Sequence, residues 1–166
     1  FISGTPATSG TAYSQTANVQ LSASETTQTG YAPSAWGGDC AADGTITLLP
    51  GDDKTCTITN DDIAPTLKLV KIVDNGANPG GTAVADDWTL SATAAAPFDG
   101  RNFSNAGGSG TFVTVYANNG YDLAESADSA YQVKTNWSCE GGSVTDTTVT
   151  LALGDVVSCY LVNEAL

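Results

Sequence analysis

Three polar residues that could react with one another fall on strand-like segments of the second half of the sequence. Successive side chains of a β-strand point to opposite faces, so residues two apart share a face. In each segment this alternation places one polar residue on the same face as leucines: Lys71, Glu125 and Asn163. A buried lysine or glutamate is costly unless it is paired or chemically altered. We therefore predict that each of the three side chains faces the interior.

The segments that must position these residues belong to a sequence that repeats itself. Each copy has an acidic strand end, a tyrosine, a tryptophan, a cysteine, a Gly-Asp turn and a Cys-to-Asn strand. Asn60 and Asn163 close the two copies and lie 103 residues apart, the length of one small domain. The second copy also has an opening strand, Thr66 to Val73, with no counterpart in the first. We predict an incomplete domain at residues 1–63 and a complete one at residues 64–166.

The composition excludes several classes of function. The chain has 5 Lys+Arg against 18 Asp+Glu, a net charge of −13, and neither His nor Met. Nucleic acids and anionic lipids need basic residues, so neither is an expected partner. Without His or a Gly-x-Ser-x-Gly motif, no enzyme acting on an external substrate is expected. No stretch has the length and apolar character of a membrane span, and no leader is visible at Phe1, as in a mature or excised fragment. Short Val/Ile/Thr/Tyr runs between turn residues predict an all-β sandwich.

The order of the three polar residues resembles a known family. Lys71 on an opening strand, Glu125 in YDLAES and Asn163 in CYLVNE are similar to a triad of bacterial surface domains. These are the SpaA-type pilin domains and the B-type repeats of collagen-binding adhesins. The junction CTITNDDIAPTLKLVK resembles the joint between tandem domains of that family. The resemblance implies tandem prealbumin-like (transthyretin-like) β-sandwiches, the first lacking its opening strand.

The resemblance also implies an intramolecular isopeptide bond between Lys71 and Asn163, promoted by Glu125. Burial lowers the pKa of a lysine, so that its neutral amine can attack the amide, and a buried carboxyl can carry protons as ammonia leaves. Folding supplies an effective concentration of about 10⁵ M or more. The alternative is an ordinary strand lysine whose ammonium reaches solvent.

The first copy carries Glu25 and Asn60 at the matching positions, with no lysine before them. Alternation places Glu25 with Leu21, and Asn60 with Ile58. Either the opening strand lies outside this fragment, or a neighbouring chain supplies it by strand complementation, making Asn60 and Glu25 an intermolecular acceptor. The two explanations stay open at this point.

The four cysteines predict two disulfides. Four cysteines allow three pairings, and the repeat favours pairing within each copy, Cys40 with Cys56 and Cys139 with Cys159. A zinc site is the competing interpretation, but CxxC spacing and histidine are lacking. Disulfides predict a location outside the cytosol.

Other candidate sites rest on short signals. The acidic pair Asp61 and Asp62 is a weak candidate for Ca²⁺, and otherwise no cofactor or metal is expected. Asn102 and Asn136 match the pattern for N-glycosylation, which has many chance matches.

The sequence therefore predicts a structural protein. We expect a subunit of an extracellular bacterial filament, pilus or surface stalk that associates head to tail with itself. The alternative is an adhesin module that binds a ligand through its loops, for which Asp99 to Gly110 is the best candidate.

Overall fold

The computed structural model describes residues 1–77 and 80–166, and these residues divide into two compact units. Unit 1 spans Phe1–Asp62 and unit 2 spans Ile63–Leu166. Both are built from β-strands, which confirms the predicted all-β class. The helical segments described are two short 3₁₀ turns, at Ala85–Asp87 and Asp99–Arg101. No helix in this part of the chain is long and apolar enough to cross a membrane.

Unit 1 consists of short antiparallel strand pairs. They are β1 (Gln20–Ser22) with β4 (Thr45–Thr47), β2 (Tyr31–Pro33) with β6 (Asn60–Asp62), and β3 (Gly37–Gly38) with β5 (Cys56–Thr57). Cys40 is the buried hydrophobic side chain of this unit, and it is bonded to Cys56. With so little apolar burial, the disulfide supplies much of the restraint on this small unit.

Unit 2 is a sandwich of two sheets. Its strands are β7 (Thr66–Asp74), β8 (Thr89–Thr93), β9 (Phe103–Ala106), β10 (Val113–Thr114), β11 (Gly120–Glu125), β12 (Tyr131–Glu140), β13 (Ser143–Thr145), β14 (Thr148–Thr150) and β15 (Val156–Ala165). One sheet has the order β10-β7-β15-β12, and the other has the order β13-β14-β11-β8-β9. The core between them is formed by alternate residues of the central strands, including Leu67, Leu69, Leu90, Leu123, Val157 and Leu161.

The first and last strands of unit 2 are parallel neighbours. Their register runs from Thr66 opposite Val156 to Asp74 opposite Glu164. Because the strands are parallel, the amino-terminal end of β7 and the carboxy-terminal end of β15 lie at opposite ends of the pair. A pull on the two ends of unit 2 therefore loads this strand pair in shear.

The segment that leads into β7 is fixed to unit 2 by its backbone. The carbonyl of Ile63 accepts a hydrogen bond from the N–H of Gly154 (2.7 Å), and the carbonyl of Pro65 accepts one from Val115 (3.0 Å). Pro65 is fully buried. Load that enters along this segment therefore reaches the sandwich at the start of β7.

Local details of unit 1 recur in unit 2. Pro33 lies opposite Asn60 in one ladder, and Val133 lies opposite Asn163 in the other. Asn18 and Asn118 both have left-handed φ angles, 60° and 57°. Each also donates its backbone N–H over 2.7 Å to the carbonyl of a leucine in the equivalent strand region, Leu48 and Leu151. The correspondence of landmarks in the sequence is therefore a correspondence of local structure as well.

Candidate functional site

Lys71 lies in the interior of unit 2, on the face of β7 that carries Leu67 and Leu69. Its side chain is 0% exposed. The alternation of β7 forces this placement, because the two leucines that share its face are fully buried. Burial lowers the pKa of Lys71 from its ordinary value, although its contact with Glu125 acts in the opposite direction. The environment thus favours the neutral amine more than water does.

Glu125, at the end of β11, connects the lysine to the asparagine. Its Oε2 accepts a hydrogen bond from Lys71 Nζ. The same carboxylate accepts from Asn163 Nδ2, at 3.1 Å to Oε1 and 3.3 Å to Oε2. Its side chain is 15% exposed, so the carboxylate lies at the border between the core and solvent. One carboxylate oxygen therefore contacts both nitrogen-bearing groups.

Asn163 approaches from β15, the parallel neighbour of β7. Its register partner on β7 is Val73, while that of Lys71 on β15 is Leu161, so the two polar residues lie diagonally across the strand pair. Asn163 is 3% exposed, and its Oδ1 is buried without a hydrogen-bond partner in the described part of the chain. An orphaned buried amide oxygen costs about 1–3 kcal/mol, which calls for an explanation at this position.

The sequence analysis missed Trp88, which covers the lysine. Trp88 is 1% exposed, and Lys71 Nζ lies 4.9 Å from the centre of its ring. Tyr131 meets the Trp88 ring edge to face, with the ring centroids 5.2 Å apart. The available signal was that Trp88, directly before β8, lies two residues from Leu90, so that a continued alternation places both on the inner face. The indole screens the amine from water.

Gly107 completes the wall beside the lysine. Its carbonyl accepts the backbone N–H of Lys71 at 3.0 Å, and its own N–H donates to the carbonyl of Trp88 at 2.9 Å. A Cβ at this position would lie 2.6 Å from Lys71 Cβ and 2.3 Å from the carbonyl oxygen of Ala85. The close approach of the backbone therefore requires glycine here.

Unit 1 places Glu25 and Asn60 together without a lysine. Asn60 Nδ2 donates to Glu25 Oε2 at 2.9 Å. Asn60 is exposed, whereas Asn163 is buried. Unlike Asn163, it has no sheet packed over it in the described part of unit 1.

The remaining candidates are placed as follows. Disulfides join Cys40 to Cys56 and Cys139 to Cys159, so the described structure has no free cysteine. Asp61 and Asp62 are exposed on β6, and no cluster of three metal-binding side chains occurs among the described residues. Calcium binding there stays a prediction. The stretch from Asp99 to Gly110 is only partly loop, since β9 lies within it and pairs with β8.

The two-sheet sandwich with parallel first and last strands defines this protein as a prealbumin-like domain protein. A family model of the SpaA type, described as a prealbumin-like fold domain, matches residues 62–161. This match covers more than half of the sequence, so the chain belongs to this family. The resemblance inferred from the sequence is thereby confirmed.

One solved structure that the chain matches is a bacterial adhesin from Mobiluncus mulieris that contains intramolecular disulfide, isopeptide and ester bond cross-links. The identity is 10% and the TM-score is 0.39, over 74% of this chain and 48% of the adhesin chain. This chain therefore spans about half the length of that protein. No curated protein sequence matches the chain.

Proposed function

We propose that this protein is a structural segment of an extracellular bacterial filament, pilus or surface stalk, and that unit 2 is closed by an isopeptide bond between Lys71 and Asn163. The observation that carries the proposal is the convergence of a buried amine, a carboxylate and a buried amide. A buried ion pair alone gives little net stability, whereas a reaction uses all three groups. Family membership and two disulfides support a role outside the cytosol.

The reaction balances without any co-reactant. Lys71 first gives a proton to Glu125, and its neutral Nζ then attacks Cγ of Asn163. The protonated carboxyl gives that proton to Nδ2 and takes the second proton of Nζ, the bond from Cγ to Nδ2 breaks, ammonia leaves, and Glu125 ends as the neutral acid. A half-turn of the amide about its Cβ–Cγ bond would direct the orphaned Oδ1 toward Glu125, which would then stabilise the charge that develops on it. The product amide is neutral, so the buried charges disappear.

The bond would change how unit 2 carries tension. Without it, a pull on the two ends loads the hydrogen bonds between β7 and β15. With it, the covalent path runs from the first residues of β7 through Lys71 and Asn163 to the last residues of β15. The intervening chain is bypassed and need not unfold. This property suits a segment of a long fibre exposed to shear.

The test is the intact mass of the purified protein, measured under reducing and denaturing conditions. The proposal expects a mass lower than that of the sequence by one ammonia, with a branched peptide that joins Lys71 to Asn163. Glu125→Gln should abolish the loss, because glutamine cannot take the lysine proton. Glu140→Gln, at an exposed position of β12, is the matched control and should retain the loss. An unmodified wild-type mass would refute the isopeptide bond.

A further inference from the structure

We infer that the outer face of the β10-β7-β15-β12 sheet is a self-association surface, on which a second copy of unit 2 packs in antiparallel orientation. The inference goes beyond the proposed function, and it does not depend on the isopeptide bond. Two observations carry it: an apolar patch at the centre of the face, and opposite charges at the two ends of that patch.

The outward side chains at the centre of this sheet are apolar. The alternation that buries the leucines of β7 turns the residues between them outward, and the same holds for β15. Val70 lies opposite Tyr160 in the register of the two strands, and Ile72 lies opposite Val162, so the four form one continuous patch. Ile72 is 45% exposed, and the other three are half-buried. A contiguous apolar patch with a polar rim is typical of an interaction site.

The outer face of the opposite sheet has a different composition. On its three central strands, β14, β11 and β8, the outward side chains are polar except for one alanine: Thr89, Ser91, Thr93, Asp122, Ala124, Thr148 and Thr150. The two faces belong to the same sandwich, so the architecture alone does not require apolar residues on an outer face. The apolar patch on β7 and β15 therefore calls for a partner.

The order of charges along β7 identifies that partner as a second copy. Four successive outward side chains run from a cation through two apolar residues to an anion: Lys68, Val70, Ile72 and Asp74. A rotation of 180° about an axis between two facing sheets, perpendicular to their strands, lays β7 of one copy on β7 of the other in the opposite direction. Lys68 then faces Asp74 of the second copy at both ends of the patch, and Val70 faces Ile72. A two-fold interface requires a self-complementary surface of this kind.

The net charge of the face permits association although the chain is strongly acidic. Its long strands carry two basic and three acidic outward side chains, a net charge of −1 against −13 for the whole chain: Lys68, Lys134, Asp74, Glu140 and Glu164. Within the described part of the chain, no carboxylate lies within 4.0 Å of Lys68 Nζ, so this ammonium is available to a partner. The same rotation brings Glu140 toward the end of the face that carries Lys134 of the second copy. At physiological salt a Debye length of about 8 Å screens the repulsion between more distant acidic residues.

The size of the face determines the strength of the contact. Three strands about 4.8 Å apart, each with about seven residues at roughly 3.3 Å per residue, give a contact of about 300 Å² on each copy. Stable complexes bury about 800 Å² per partner, so two isolated copies should associate weakly, with a dissociation constant on the order of 0.1 mM. Two copies paired in this way run in opposite directions. In the proposed fibre, the face therefore joins neighbouring fibres and not successive subunits of one fibre.

The experiment is sedimentation velocity of the full chain at physiological salt, over concentrations from about 0.01 to 1 mM, which bracket the expected dissociation constant. The wild type should shift from monomer toward dimer across this range. Lys68→Glu and Asp74→Lys each place like charges against one another, and each should weaken the dimer at least about tenfold. The double variant Lys68→Glu/Asp74→Lys restores opposite charges and should recover the dimer. Lys54→Glu, at an exposed lysine of unit 1, changes the net charge by the same amount as Lys68→Glu and is the control that should dimerise like the wild type.

Three outcomes would overturn the inference. A wild type that stays monomeric up to 1 mM has no such surface. A dimer that persists in both single variants uses another surface. Single variants that dissociate without recovery in the double variant exclude the antiparallel pairing of Lys68 with Asp74. The intact mass of the same samples separates this inference from the proposed function: a dimer that has not lost ammonia overturns the isopeptide bond alone, and a monomer that has lost it overturns the self-association alone.

Discussion

Replacing Lys71 by methionine should lower the stability of unit 2 by several kcal/mol. The proposed bond closes a loop from Lys71 to Asn163, about 90 residues, for which the chain-entropy treatment of a cross-link gives about 4.5 kcal/mol. Methionine fills a similar volume and leaves no unpaired ammonium in the core, while Glu125 keeps its hydrogen bonds to Asn163 at the border with solvent, so loss of the cross-link is the largest change. For a domain of this size, we expect the melting temperature to fall by on the order of 20–30 °C.

The assay is thermal unfolding followed by near-ultraviolet circular dichroism, with the disulfides kept oxidised. Lys68→Met is the matched control, since Lys68 lies on the same strand but faces outward, with its Nζ 4.7 Å from the centre of the Phe112 ring. It should melt within a few degrees of the wild type. The reasoning is refuted if the wild type has lost ammonia and Lys71→Met nevertheless melts within a few degrees of it. The cross-link would then not stabilise unit 2. The intact mass of each protein is measured in parallel.

Three further predictions follow from the same site. In the Asn163→Ala variant, which cannot form the bond, the lowered pKa of Lys71 means that the unfolded state binds more protons, so stability should rise as the pH increases toward the ordinary lysine value of about 10.4. Urea unfolding against the Asn163→Ala/Lys71→Met double variant isolates this rise, and an equal rise in both would contradict it. Gly107→Ala should destabilise unit 2 by about 1–3 kcal/mol and slow the loss of ammonia, because the added Cβ would collide with Lys71. Chemical denaturation measures the stability and timed mass spectra measure the rate of ammonia loss. Wild-type values in both assays would refute the close approach. Replacing Cys139 and Cys159 by alanine removes a disulfide of sequence separation 20 and should lower the free energy of unfolding in urea by about 3 kcal/mol, while the loss of ammonia persists. If the Lys71–Asn163 bond no longer forms in this variant, the disulfide is needed to position β15.

The strands that carry the site could be predicted because their side chains alternate regularly. In β7 and β15 the leucines and valines fix which residues face inward, so Lys71 and Asn163 followed from local sequence alone. Glu125 followed in the same way from Tyr121 and Leu123, which are buried on its face. The choice of these three residues as partners came from the resemblance to the family and not from alternation.

The parts of the site that could not be predicted depend on contacts between distant segments. Trp88 reaches the lysine because it directly precedes β8, a strand of the opposite sheet. The sequence around Trp88 does not identify the residue that it covers. The requirement for glycine at position 107 arises from Ala85 and Lys71, neither of which is near it in sequence. The exposure of Asn60 depends on which strands surround it, and the sequence of a single strand does not encode that.

The parallel pairing of β7 with β15 also sets an order of events during synthesis. β7 is the first strand of unit 2 to be made, and β15 is the last, so the edge of β7 that β15 covers stays free until synthesis of the unit is complete. An apolar strand with an unpaired edge is prone to aggregate, and charged residues within the strand reduce this tendency. Lys68 and Lys71 provide this protection while the chain is unfolded, when both ammonium groups are hydrated. The residue that later enters the core of unit 2 thus first keeps the unfinished chain in solution.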